Sequence, residues 1–174
     1  MSYESFDDFA RCGSLRLLGA ARLLVHDREV AEDLTQETLI RMFRAWSSIR
    51  ADAAVDSYAY KTLLRLAHRR LRQLSAGREV LTASLPDQAD QADQGVDGED
   101  IGPRVRACLL ELPARQRATL VLRFYAGLNV DDTAKVMACS QGTVKSQTAK
   151  GLRNLRVLLV STMEQELAQQ GDDR

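Results

Sequence analysis

The sequence predicts an all-α protein of two small helical domains joined by a flexible acidic linker, and three observations carry that prediction. Of 174 residues, 45% are hydrophobic but only 5% are aromatic and three are proline. A chain dominated by Leu, Ala, Arg and Val favours helix over sheet. Apolar residues recur at helical spacing on both sides of residues 75–102, SAGREVLTASLPDQADQADQGVDGEDIG. That stretch has four glycines, a proline and a tandem DQADQAD, and it lacks the apolar surface needed to offset the entropy of ordering. The expected limits are therefore a first domain over 1–74, a linker over 75–102, a second domain over 103–162 and a tail over 163–174.

In the first domain, Ser5 and Asp8 have the spacing of a capping box and open a helix to about Val25. Gly13 and Gly19 weaken it slightly. Asp27 is placed to cap a second helix reaching about Trp46. Val30, Leu34, Met42, Phe43 and Trp46 form its apolar stripe. Glu29, Glu32, Asp33, Gln36 and Glu37 form the opposite, polar one. A loop over Ser47–Val55 precedes a third helix from about Asp56 to Gln73, crowded with Lys61, Arg65, Arg69, Arg70 and Arg72.

In the second domain, a helix from Pro103 to Leu112 stops before Pro113, which suits the first position of the next helix. That helix runs to about Tyr125, with Leu120, Val121 and Phe124 facing inward, until Gly127 breaks it. Asn129 caps a short helix whose first turn carries Asp131 and Asp132, favourably placed against the helix dipole. Ala138-Cys139-Ser140 is a tight turn, and Ser140 caps a final helix continuing through Val160. Ala138 occupies a turn position where positive φ favours glycine, a mismatch of about 1 kcal/mol.

The segment DDTAKVMACSQGTVKSQTAKGLRNLR has the form of a helix-turn-helix. Ala134 is small where the two helices cross, Val136 and Met137 point to the core, and Val144 anchors the second helix on the first. The opening turns of that helix offer Ser140, Gln141, Thr143, Lys145, Ser146, Gln147 and Lys150. These amide, hydroxyl and ammonium groups can reach base edges and phosphates in a major groove. Arg115, Arg117, Arg123, Arg153 and Arg156 surround them as phosphate contacts.

Charge supports this reading despite a net charge of zero. Residues 103–160 hold 10 basic and 3 acidic groups, whereas residues 75–102 hold 1 and 7. Local charge, not the total, governs attraction to phosphate. Cys12, Cys108 and Cys139 are odd in number and lack ligand-like spacing to His26 or His68, so neither a disulfide framework nor a metal site is expected; they read as small buried or half-buried residues. No cofactor motif, phosphate loop or catalytic constellation is present, and no enzymatic activity is expected. No apolar run is long enough to span a membrane and the first residues are not a secretory signal, so the expected location is the cytoplasm with no membrane partner.

REVAEDLTQETLIRMFRAW and LPARQRATLVLRFYAGLNVDDTAKVMACSQGTVKSQTAKGLRNLR resemble two defining segments of the extracytoplasmic-function (ECF) sigma factors of the sigma-70 superfamily. The resemblance extends from about Phe6 to Arg156. It implies that the first domain is sigma domain 2 and the second sigma domain 4. The implied function is promoter-specific transcription initiation with the bacterial RNA polymerase core. Glu32, Asp33, Gln36, Glu37 and Leu39 would then meet the clamp helices of the largest subunit. The second domain would meet the flap of the second-largest subunit and read the minus-35 element. Arg50 and Asp52 in the loop, with Tyr58, Tyr60, Lys61, Arg65 and Arg69 on the helix, would capture and open the minus-10 element. Arg65 and Arg69 depart from the pattern, since many members have Asn and Asp there. Members of the family are often held by an anti-sigma factor, which no residue here identifies. The competing expectation is a stand-alone helix-turn-helix regulator that binds duplex DNA without polymerase.

Overall fold

The computed structural model describes residues 3–51, 55–78 and 101–172. Among them there are helices and turns but no strand. The chain divides into two compact units, Met1–Asp100 and Ile101–Arg174.

The first unit is a three-helix bundle of α1 (Phe6–Leu24), α2 (Arg28–Ala51) and α3 (Val55–Arg78), each packed on the other two. The Ser5 side chain accepts from the Asp8 amide at 3.1 Å, while the Asp8 carboxylate accepts from the Ser5 amide at 3.2 Å. This reciprocal pair satisfies two of the orphan donors at the start of α1. Asp27 Oδ1 accepts from the Val30 amide at 3.1 Å and starts α2 in the same manner. Phe9, Leu17, Met42 and Leu63 are fully buried at the centre. Burying a side chain of that size stabilises by about 1.5–3 kcal/mol. Thr38 is buried among them without penalty, because its hydroxyl donates to the Leu34 carbonyl at 2.7 Å.

Three expectations fail in this unit. The loop over Ser47–Val55 is largely absent, since α2 continues to Ala51 and α3 already begins at Val55. Ile49 is buried and Ser48 donates to the Ala45 carbonyl at 2.9 Å, so the serine pair is absorbed into the helix instead of ending it. Phe43 is 63% exposed, so it belongs to the surface and not to the apolar stripe. Its ring meets Phe6 edge-on at 5.2 Å, and Phe6 meets Trp46 at 5.6 Å. The third helix also runs past its expected end near Gln73, to Arg78. Most of the expected linker and residue Asp52 lie outside the described residues.

The second unit contains α4 (Pro103–Glu111), α5 (Ala114–Leu120), a π-helical turn over Val121–Tyr125, α6 (Val130–Met137) and α7 (Gln141–Asp172). Helices α4, α5 and α6 all pack on α7. The π turn widens the helix, with the Ala126 amide donating to the Val121 carbonyl five residues back. The extra residue rotates the side chains that follow, and Phe124, expected inside, is 57% exposed. Gly127 has φ of 70° and ends the turn as expected. The core is formed by Leu109, Leu112, Leu120, Val121, Val136 and Val144. A Cβ on Gly151 would lie 3.1 Å from Leu120, so the bare glycine lets α5 and α7 approach closely.

All three cysteines are free. Cys108 is buried and Cys139 half-buried, but Cys12 is exposed, because it falls on the outward side of α1. Among the described residues no helix is long and apolar enough to cross a membrane.

Candidate nucleic-acid interface

The helix-turn-helix is built by α6, the turn at Ala138–Ser140 and the start of α7. Asn129 caps α6, its side-chain oxygen accepting from the Asp132 amide at 2.8 Å. Ala138 ends it in the left-handed region, at φ 49° and ψ 51°. The chain reverses there and Ser140 caps α7, its hydroxyl oxygen accepting from the Thr143 amide at 3.1 Å. Ala134 is buried at the crossing and Val144 is fully buried, so α7 is fixed by its inner face.

The opposite face of α7 is open. Ser140, Gln141, Lys145, Ser146 and Lys150 are exposed; Thr143 and Gln147 are half-buried. Ser140 and Thr143 are engaged with one another, their hydroxyl oxygens 2.9 Å apart. Gln141 donates through Nε2 to Asp131 Oδ1 at 3.1 Å, across the turn. Arg115, Arg153 and Arg156 are exposed on the same unit.

Two arginines depart from the expected set. Arg117 is buried, 6% exposed, and donates to the Leu110 carbonyl at 2.8 Å. Burial pushes its pKa down, against a smaller upward pull from Glu111. It ties α5 to the end of α4 and is not available to phosphate. Arg123 is half-buried and donates to the Leu128 carbonyl, closing the π turn over Gly127.

On the first unit, Asp33 and Gln36 are exposed along α2, with Glu32, Glu37 and Leu39 half-buried beside them. Arg28 pairs with Glu32 at 3.0 Å, and Arg41 with Glu37 at 2.7 Å. Ile40 and Phe43, 47% and 63% exposed, border this ridge. On α3, Arg65 and Arg69 are exposed, and Tyr58 and Lys61 half-buried. Tyr60 is buried, 3% exposed, and hydrogen-bonds Arg16, so it is a packing residue and not a surface for bases. The side chain of Arg50 lies outside the described residues, as does Asp52.

Residues 11–77 match the family model Sigma-70 region 2, and residues 108–157 match Sigma-70, region 4. The chain is 33% identical to RNA polymerase sigma-E factor of Streptomyces avermitilis over 164 residues, covering 90% of this chain and 86% of that protein. It is 33% identical to the ECF RNA polymerase sigma factor SigM of Mycobacterium tuberculosis, covering 89% and 77%. The chain belongs to the ECF sigma factors of the sigma-70 family. Its fold is also that of a sigma factor. The Bartonella quintana sigma factor RpoE, solved with the anti-sigma factor NepR, superposes with a TM-score of 0.73 at 20% identity, covering 90% of this chain and 98% of that one.

As a sigma factor, the protein directs transcription initiation by RNA polymerase, and its helix-turn-helix falls within region 4. Sequence reasoning missed three features of its surface. By sequence Asp131 is only a dipole partner, yet its side chain holds Gln141. Their separation of ten residues belongs to no single-helix pattern, so only the fold brings them together. Ile40 is exposed, and its spacing of four and three residues from Gln36 and Glu37 is the signal that places it on the ridge. Phe124 carried no signal, because α-helical periodicity assigns it inward.

Proposed function

We propose that the first turns of α7 enter the major groove of the minus-35 element while α2 docks on the polymerase core. The exposed, polar and cationic opening of α7, held out by buried Val144, is the observation that carries this reading. Gln141, Lys145, Gln147 and Lys150 face the groove, and Arg115, Arg153 and Arg156 contact phosphates. Asp33, Gln36, Glu32, Glu37 and Leu39 meet the clamp helices of the largest polymerase subunit, with Ile40 and Phe43 adding apolar area. Lys61, Arg65 and Arg69 hold the minus-10 strand as it separates. The protein acts as a specificity subunit in the cytoplasm and carries out no chemistry itself. An anti-sigma factor is a further partner, supported by the complex in which its structural relative was solved.

The experiment separates the two surfaces in the full chain. Lys145→Ala with Gln147→Ala weakens minus-35 binding by about 1–3 kcal/mol per lost base contact and leaves association with core intact. Charge reversal at Asp33 and Glu37 abolishes core association. Core affinity unchanged by that reversal would remove the ridge from the reading. Tight duplex binding and no affinity for core in the unaltered protein would favour a stand-alone regulator instead.

A further inference from the structure

Asp131 lies in the first turn of α6, and its carboxylate spans the two helices of the helix-turn-helix. Oδ1 accepts from Gln141 Nε2 at 3.1 Å, and Oδ2 accepts from Lys135 Nζ at 2.5 Å. The hydrogen bond from Lys135, then that from Gln141, holds the Asp131 pKa below its ordinary value. An ionised carboxylate accepts hydrogen bonds and donates none. The Gln141 amide therefore has one orientation that suits it, nitrogen toward Asp131 and oxygen away. The flipped amide would set oxygen against oxygen.

That fixes what Gln141 offers to DNA. A primary amide has two N–H groups and one oxygen, and Asp131 takes one N–H. What remains is an acceptor and a donor side by side. In the major groove, adenine presents the complementary pair, the N6 donor and the N7 acceptor. Guanine presents two acceptors, cytosine a donor alone, and thymine an acceptor beside a methyl group. Among single bases, only adenine satisfies both remaining groups. Lys135 occupies the other carboxylate oxygen and offsets the negative charge near the phosphates.

We propose that Asp131 is a positioning residue that locks the amide of Gln141, so that the first residue of the reading helix selects adenine in the promoter duplex. The inference rests on the reading above, in which the opening turn of α7 enters the groove. A free glutamine could turn its amide and accept other edges; a held one cannot.

The test uses the full chain assembled with polymerase core on duplexes varied at each position of the minus-35 element. The unaltered protein prefers adenine at one position by roughly 5- to 150-fold, and Gln141→Ala loses that preference. Asp131→Ala reduces it by about 2- to 12-fold, the range for one lost hydrogen bond. Asp131→Asn presents an amide that can donate as well as accept, so it no longer fixes the Gln141 amide and lowers the preference as Asp131→Ala does. The double variant Asp131→Ala with Gln141→Ala discriminates no worse than Gln141→Ala alone. Overall affinity rises alike in both Asp131 variants, since each removes a charge that repels phosphate. The inference is overturned if Asp131→Ala or Asp131→Asn keeps full preference. A Gln141→Ala protein with unchanged base preference would overturn the groove reading itself, and the inference with it.

Discussion

Arg117 illustrates what a single residue does when its chemistry and its position disagree. By type it belongs with the phosphate contacts around the helix-turn-helix, but the fold turns it inward onto the Leu110 carbonyl. A buried hydrogen bond from a charged donor contributes about 1.5–3 kcal/mol, and its loss leaves that carbonyl short of a partner. Arg117→Ala is therefore expected to lower stability by that amount in urea denaturation while leaving DNA affinity of the folded protein unchanged. A stable variant with weakened DNA binding would return Arg117 to the interface. Residue type and local spacing made other positions legible: the caps Ser5, Asn129 and Ser140, the left-handed Ala138 and the anchor Val144 stand where the pattern put them. Each of these depends on neighbours within a few residues. The side to which Arg117 or Phe124 turns depends on α4 and on one extra residue in a helical turn, and neither leaves a mark in local sequence.

Among the elements, α7 carries the greatest load, since its first turns face outward while its middle supports the unit. Its start depends on Ser140, whose hydroxyl satisfies the Thr143 amide. Ser140→Ala is expected to cost about 1 kcal/mol of stability and to fray the turns that hold Gln141 and Thr143. Ser140→Gly should cost only a few tenths. Thermal denaturation measures the difference, and equal losses in the two variants would assign the effect to something other than the cap. Element boundaries were less legible than caps. Small polar residues at Ser47 and Ser48 suggest a loop, but buried Ile49 gains more by continuing α2 than the serines lose. That balance is set by the bundle and cannot be read from the segment itself.

At the scale of the whole molecule, opposite charges are sorted onto different segments of a chain that is neutral in sum. The basic stretch over 103–160 makes DNA binding depend on salt, because each neutralised phosphate releases counterions. Replacing Arg153 and Arg156 together by Ala should reduce the slope of log affinity against log salt by about 2, evenly across sequences. An unchanged slope would show that neither arginine meets a phosphate. The division into two helical units was legible from composition, since an acidic stretch poor in apolar residues interrupts two periodic ones. The acidic ridge on α2 has a consequence of its own, because it does not present bare anions: Arg28 already occupies Glu32 and Arg41 already occupies Glu37. Docking there, as proposed, would be an exchange, in which incoming cations displace tethered ones. A diffuse positive surface gains little from such a trade, and advantage passes to a partner whose own cations arrive in matching register.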